Sequence, residues 1–243
     1  MNKSMNEEKC MSERISPLLL IPGFMCDASL WQAVQPGLAA LGPVHFADIS
    51  AGSSIEGMAD NLLPGLPDNC SVIGFSMGGY VARQLCVLAP QKIRRLVLLN
   101  SSARATSEQE IQRNRQQIRM LQTIPYRGQT RAALQRAVWP QHRDNEAILA
   151  HLQNMSLQLG REVFLRQMAI VRGDGHEALG RISCPALIVA SREDQMRAPE
   201  EAYAMRDSLP GSELVMLEQC GHMSVLEQPA TVLAHLQRFW QHS

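Results

Sequence analysis

The stretch "VIGFSMGGYVARQL", residues 72–85, sets one serine among three glycines at the end of an apolar run. Gly74-Phe75-Ser76-Met77-Gly78 fits G-x-S-x-G. The apolar residues before it and the helical periodicity after it place the pattern on a strand-to-helix turn. A serine held on such a turn presents its hydroxyl above a sheet, and small neighbours are needed because strand and helix cross closely there. Alone, the stretch is equally consistent with a glycine-rich turn whose serine caps a helix. A serine hydroxyl is also a poor nucleophile at neutral pH and needs an adjacent base that a third group orients. Candidates lie downstream: His222 in "CGHMSVLEQP" (220–229) and Asp194 in "IVASREDQMRAP" (188–199). Each follows a run that reads as a strand, so Ser76, Asp194 and His222 are expected at one sheet edge.

The elements that would position these residues follow from the apolar pattern. "PLLLIPG" (17–23), "VHFADI", "CSVIGF", "IRRLVLLN" (93–100), "PALIVAS" (185–191) and "SELVMLE" (212–218) read as six strands. Helical patterns separate them. One begins after Asp27, a helix cap, and aligns Leu30, Val34, Leu38 and Leu41. Others run from about Pro199 to Leu209 and from about Pro229 to Gln241. Apolar strands alternating with helices predict an α/β fold whose parallel sheet is covered on both faces. The rhythm breaks between Ser101 and Gly180, where Ile111/Ile118/Leu121, Ile148/Leu149/Leu152/Met155 and Phe164/Leu165/Met168 recur at helical spacing without a strand. Residues 17–100 and 181–243 are therefore expected as the core and 101–180 as a helical cap inserted before the penultimate strand. Residues 1–16 are expected as a disordered polar leader. In doubly wound sheets ligands bind beyond the carboxyl ends of the strands, which places such an insertion over the binding edge.

The order Ser…Asp…His, the glycine-flanked serine, "LLLIPGF" and "GHMSVLEQP" resemble the α/β-hydrolase superfamily, particularly its small bacterial capped members. The resemblance runs from about Leu18 to Trp240 and is weak through the insertion. It implies Ser76 as nucleophile, His222 as general base and acid, and Asp194 as the orienting carboxylate. Glu193 and Asp207 are other acids nearby, but Asp194 fits the family spacing, with Ser191 in the place usually held by glycine. Some members take their acid from the strand before the cap, where this chain has Asn100. His45, His142, His151, His176 and His235 match no motif. The resemblance also implies an oxyanion hole from two backbone N–H groups, those of Met77 and Phe24. Pro22 stands where many relatives have histidine. The implied chemistry is hydrolysis of a small carboxylic ester or thioester through an acyl-enzyme. Carbon–carbon bond hydrolysis, lyase chemistry or perhydrolysis on the same triad, and ligand sensing with slow residual hydrolysis, are the competing readings.

Composition narrows the partners. The 243 residues carry 23 basic and 23 acidic side chains, so net charge argues for neither nucleic acid nor a membrane surface. No apolar run approaches the roughly 20 residues that span a bilayer. The start of the chain lacks a signal-peptide core, which makes a cytoplasmic location the expectation. The six cysteines are scattered singly and no metal-binding spacing occurs, so neither a disulfide framework, a metal nor a cofactor is expected. The insertion is locally basic, with eleven Arg and no Lys against seven acidic residues. Arg113, Arg115, Arg119, Arg127, Arg131 and Arg136 fall close together. They are either a solvated face or an attraction for an anionic substrate or an acidic acyl carrier protein. Met25, Met77 and Met223 flank the motifs as candidates for an adaptable acyl site, and Trp139 is a further substrate-binding candidate.

Overall fold

The computed structural model describes residues 16–243. The leader and Cys10 lie outside the described residues, except that Ser16 already belongs to the fold: it is buried, with its Oγ 2.9 Å from Ser71 Oγ. Six strands form one sheet: β1 (Leu18–Ile21), β2 (Val44–Phe46), β3 (Cys70–Phe75), β4 (Ile93–Leu99), β5 (Ala186–Ser191) and β6 (Glu213–Leu217). All neighbours pair in parallel in the order β2-β1-β3-β4-β5-β6, as the strand–helix alternation predicts.

The helices before β4 are α1 (Gln35–Ala39), α2 (Ile55–Leu62) and α3 (Met77–Leu88). The continuous helix expected after Asp27 is instead divided. Asp27 caps a 3-10 turn over Ala28–Trp31, and α1 begins afresh with Pro36 in its first turn. Proline has no N–H to continue a preceding helix, yet it suits a first turn. Leu30, Val34 and Leu38 are buried all the same.

Between β4 and β5 the described secondary structure is helical: α4 (Glu108–Leu121), α5 (Arg131–Ala137), a 3-10 turn at Pro140–His142, α6 (Glu146–Met168) and α7 (His176–Leu179). Gly160, at φ 77° and ψ −179°, kinks α6. The chain closes with α8 (Pro199–Ser208), α9 (Ser224–Glu227) and α10 (Pro229–His242).

Successive strand residues serve opposite layers, as a period of two requires. Leu19, Ile21, Val72, Leu96, Leu98 and Ile188 pack towards α2, α3 and α8. Leu18, Leu20, Ile73, Val97, Leu99, Leu187 and Val189 pack towards α1, α10 and the insertion residues Leu134, Leu149, Leu152 and Met155. Burial on both faces fixes the strands, and therefore the loops that leave their carboxyl ends.

Candidate active site

Ser76 sits between β3 and α3 at φ 50° and ψ −111°, a backbone conformation that L-residues rarely adopt. Three hydrogen bonds hold it there. Its N–H donates to Leu99 O at 2.9 Å, and its carbonyl accepts from Gly79 N–H at 3.0 Å and from Ser101 Oγ at 2.8 Å. The flanking glycines make the crossing possible. A Cβ on Gly74 would stand 2.4 Å from Gly78 O, and one on Gly78 would stand 2.2 Å from Ile21 O. Both clashes are with backbone, so no side-chain movement relieves them.

The loops after β5 and β6 bring the other two groups to this turn. Ser76 Oγ and His222 Nε2 are 2.8 Å apart, and His222 Nδ1 lies 2.7 Å from Asp194 Oδ2. All three residues are largely buried, at 7%, 6% and 8% exposure, so water competes little for these contacts. Asp194 Oδ1 accepts from the N–H groups of Met196 (2.7 Å) and Arg197 (3.0 Å). Burial pushes the Asp194 carboxyl up, but the His222 imidazole, the Met196 N–H and the Asn100 amide outweigh it and hold the group below its ordinary value.

Asn100, at the end of β4, is part of this arrangement although no motif marked it. Its Nδ2 donates to Asp194 Oδ2 at 3.1 Å and to Ser191 Oγ at 2.9 Å, while its Oδ1 accepts from Ser224 Oγ at 2.6 Å. The position that is acidic in some relatives thus braces the acid here. The other acids lie elsewhere: Glu193 accepts from Cys220 N–H, and Asp207 pairs with Arg206. Among the remaining histidines, His142 meets Glu227, His151 meets Ser29 O, and His176 meets Asp174. Cys26, Cys70, Cys86, Cys184 and Cys220 are free thiols, and burial pushes Cys26, Cys70 and Cys220 up to about 12.

Ser76 and His222 open into a cavity of about 750 Å³ whose far walls come from the insertion. Phe24, Phe75, Met77, Met223, Leu134 and Phe164 give it an apolar lining. Met120, Leu121 and Ile124 line it as well, and Met120 and Ile124 are about half exposed. The C-terminal end of α4 and the turn after it therefore give the cavity apolar surface, while Glu110, Arg113, Asn114 and Gln117 line it along the helix, and α4 itself has no buried residue. Of the substrate-binding candidates Met223 lines the cavity, whereas Met25 and Trp139 do not. Met25 is turned into the core at φ 52° and is fully buried. Trp139 stacks edge-on against His142, with its N–H donated to Glu227 Oε2 at 2.7 Å.

Met77 opens α3, so its N–H has no acceptor within the helix. Phe24 N–H donates to no backbone acceptor among the described residues. Two buried side chains tie the insertion to these loops. Gln167 Oε1 on α6 accepts from Met25 N–H at 2.9 Å, directly after Phe24. Glu227, with no exposed side-chain surface, accepts from Trp139 N–H and meets His142 Nδ1 through Oε2, and accepts from Met223 N–H through Oε1.

Comparison with known proteins agrees with this geometry. The chain is similar to the pimeloyl-[acyl-carrier protein] methyl ester esterase of Klebsiella pneumoniae, at 28% identity over 88% of this chain and 89% of the relative. It is similar to the enzyme of the same description from Neisseria meningitidis, at 24% identity over 96% of this chain and 77% of the relative. Among solved structures, a thermophilic esterase from Thermogutta terrifontis superimposes with a TM-score of 0.83 at 26% identity, covering 93% of this chain and 90% of that one. An enol-lactonase from Burkholderia xenovorans shares the fold with a TM-score of 0.80 at 19% identity, covering 93% and 92%. The model of the alpha/beta hydrolase family matches residues 18–235, and the chain belongs to that family.

Proposed function

We propose that this protein is a serine hydrolase of carboxylic esters or thioesters, with Ser76 as nucleophile, His222 as general base and acid, and Asp194 as orienting carboxylate. The observation that carries the reading is the continuous chain from Ser76 Oγ through His222 to Asp194, set on a strained turn at the floor of a cavity. Ser76 Oγ attacks the carbonyl carbon while His222 Nε2 takes its proton. The developing oxyanion is held by the N–H groups of Met77 and Phe24, the first of which also carries the positive end of the α3 dipole. His222 then protonates the leaving alcohol or thiol, and the same base activates the water that cleaves the acyl-enzyme. Losing one oxyanion donor in such a site typically costs about 3 kcal/mol of transition-state stabilisation. Incubation with a fluorophosphonate probe and p-nitrophenyl butyrate tests the assignment. The wild-type protein is expected to be labelled at Ser76 and to turn the ester over, and Ser76→Ala to do neither while keeping its circular dichroism. Full turnover by Ser76→Ala overturns the mechanism.

A finer reading concerns what brings the acyl group. In the relatives above the acyl group is borne on an acyl carrier protein, by their description. Here Arg113, Arg115, Arg119, Arg127, Arg131 and Arg136 are all exposed, and Arg113 and Arg136 also border the cavity. Arg113, Arg115 and Arg119 further line a shallow depression on α4 with Gln109, Gln112 and Gln116. Arg131 is engaged by Glu146 and Asp144. A cationic face at the mouth of an ester-hydrolysing cavity suits an acidic carrier.

A further inference from the structure

Away from its apolar lining, the catalytic cavity has a cationic wall that the triad does not use. Arg104, Arg172 and Arg197 line it together with Ser76 and His222. Arg172 and Arg197 converge with Arg83 around Tyr80, which is fully buried on α3 one turn beyond Ser76. The guanidinium carbons of Arg172, Arg83 and Arg197 lie 5.0, 5.3 and 5.9 Å from the centre of the Tyr80 ring. Three guanidinium groups therefore gather around one ring.

The acids that meet these arginines engage Arg104 closely and the others hardly at all, and Glu201 Oε2 is itself left without a partner. Glu110 holds Arg104 through both oxygens at 2.6 and 3.0 Å, and Glu201 takes Arg104 Nε at 3.2 Å. Arg104 is thereby fully committed. Arg172 reaches Glu110 only at 3.9 Å. Arg197 makes a contact of 3.2 Å with the carbonyl of its neighbour Met196, and no carboxylate lies within ion-pair distance of Arg197 or Arg83 among the described residues. Arg172 Nε, Arg197 Nε, and Arg83 Nε and Nη1 are buried donors with no acceptor, and Tyr80 Oη is likewise unpartnered. Burial pulls the guanidinium groups of Arg83 and Arg172 below their ordinary values, and Arg197 and Arg104 add to the effect at Arg172. Folded proteins rarely leave buried donors and like charges in this state, and an oxyanion entering the cavity meets Arg172 and Arg197, the two uncommitted guanidinium groups that line it. A planar carboxylate matches the fork of an uncommitted guanidinium.

We propose that Arg172 and Arg197, backed by Arg104 and Arg83, form an anion subsite that holds a carboxylate on the acyl part of the substrate. Arg172 and Arg197 share with Ser76 a single cavity of about 750 Å³, which leaves room for only a short chain between the carboxylate and the scissile carbonyl. The substrate class is accordingly the half-ester or half-thioester of a short dicarboxylic acid. This deepens the hydrolase reading and rests on it. It requires a free acid at the far end of the acyl group, and so admits a carrier protein only as the leaving thiol, not attached at that end.

Paired substrates test it: monomethyl glutarate and methyl pentanoate differ in the terminal carboxylate at similar length. The wild-type enzyme is expected to favour the half-ester in kcat/KM by about tenfold or more, the usual size of a charge-assisted contact. Arg172→Gln should bring that ratio towards one, chiefly through KM, and the partly exposed Arg197→Gln does the same should Arg172→Gln fail to fold. Arg206→Gln, an equal change of charge on the surface of α8, should leave the ratio unchanged. Equal turnover of the two esters by the wild-type enzyme, or a preference that survives in both cavity variants, overturns the subsite while leaving the hydrolase reading intact. If neither ester is hydrolysed and the fluorophosphonate leaves Ser76 unlabelled, the hydrolase reading has failed instead. Calorimetric titration of Ser76→Ala with glutarate then still decides the subsite. Binding that is lost on adding Arg197→Gln supports it, and no binding, or tighter binding of inorganic phosphate, overturns it.

Discussion

Every residue from Phe75 to Arg83 is buried, whereas α4, which borders the same cavity, has no buried residue. The first region is shaped by the sheet. Its backbone is pinned to β4 by Leu99 O and Ser101, and its glycines meet backbone that cannot yield. The second is tied by polar contacts, Glu110 to Arg104 and Asn114 Nδ2 to Met168 O. The rest of the insertion is held by apolar contacts of α5 and α6 and, at the loops beside Ser76, by Gln167 and Glu227. Reacting groups must stay within fractions of an ångström of their geometry, which a buried strand-end turn provides. A wall that selects substrates tolerates more variation, and polar ties between helices and loops are enough to hold it. On the proposed reading, the difference separates positions that set the rate from positions that set the substrate.

That separation can be broken by mutation. Asp194→Asn, which keeps the shape but removes the carboxylate, is expected to lower kcat about 10⁴-fold with little change in KM, measured by steady-state kinetics. It should also flatten the acid limb of stability. The depressed Asp194 carboxyl stabilises the fold above its unfolded value of about 3.9, and that contribution is lost as pH falls through the lower folded value. Denaturant titrations across that range in wild type and variant read the difference. Glu227→Ala strands the N–H groups of Trp139 and Met223 together with His142, and should cost about 1–3 kcal/mol or more in urea unfolding. If Glu227→Ala cost only activity, the insertion would be held by something else.

Gln167→Ala frees Met25 N–H and with it the segment carrying Phe24. A fall in kcat of about tenfold is expected, below the loss of a whole oxyanion donor, with KM less affected. A pure KM effect would move Gln167 to the substrate-selecting side of the comparison. The smallest effect belongs to the exposed arginines. Replacing Arg113, Arg115 and Arg119 by Gln should weaken turnover of a carrier-borne ester a few-fold, and only at low salt. The same variant should hydrolyse a free short ester as the wild type does.

Ser76, Asp194 and His222 could be picked out because each stands in a short local signature at the end of an apolar strand, and the parallel sheet aligns those ends. The six strands were legible for the same reason, since burial on both faces makes them continuous apolar runs. Asn100, Gln167 and Glu227 were not, because a lone polar residue in a strand end or helix looks the same whether it faces solvent or a buried N–H. Met25 shows the opposite error. Closeness in sequence to a catalytic loop says nothing about direction, and its positive φ turns the side chain away from the cavity. The arginine cluster was invisible in part because Arg83, Arg172 and Arg197 are scattered along the chain and meet only around Tyr80. The dense run from Arg113 to Arg136 stands out in the sequence instead, and its arginines are exposed, with Arg113 and Arg136 reaching the rim of the cavity.

The sheet order has a dynamic consequence. β6 is an edge strand that pairs with β5 alone, and His222 follows it by a few residues. Edges and their loops open at lower free energy than the central strands. On the proposed reading, fraying of β6 is expected to draw His222 away from Ser76 while β1, β3 and β4 remain paired, so that turnover is lost before the fold. Under denaturant or heat, catalytic turnover reports the state of one strand, and the circular dichroism reports the rest.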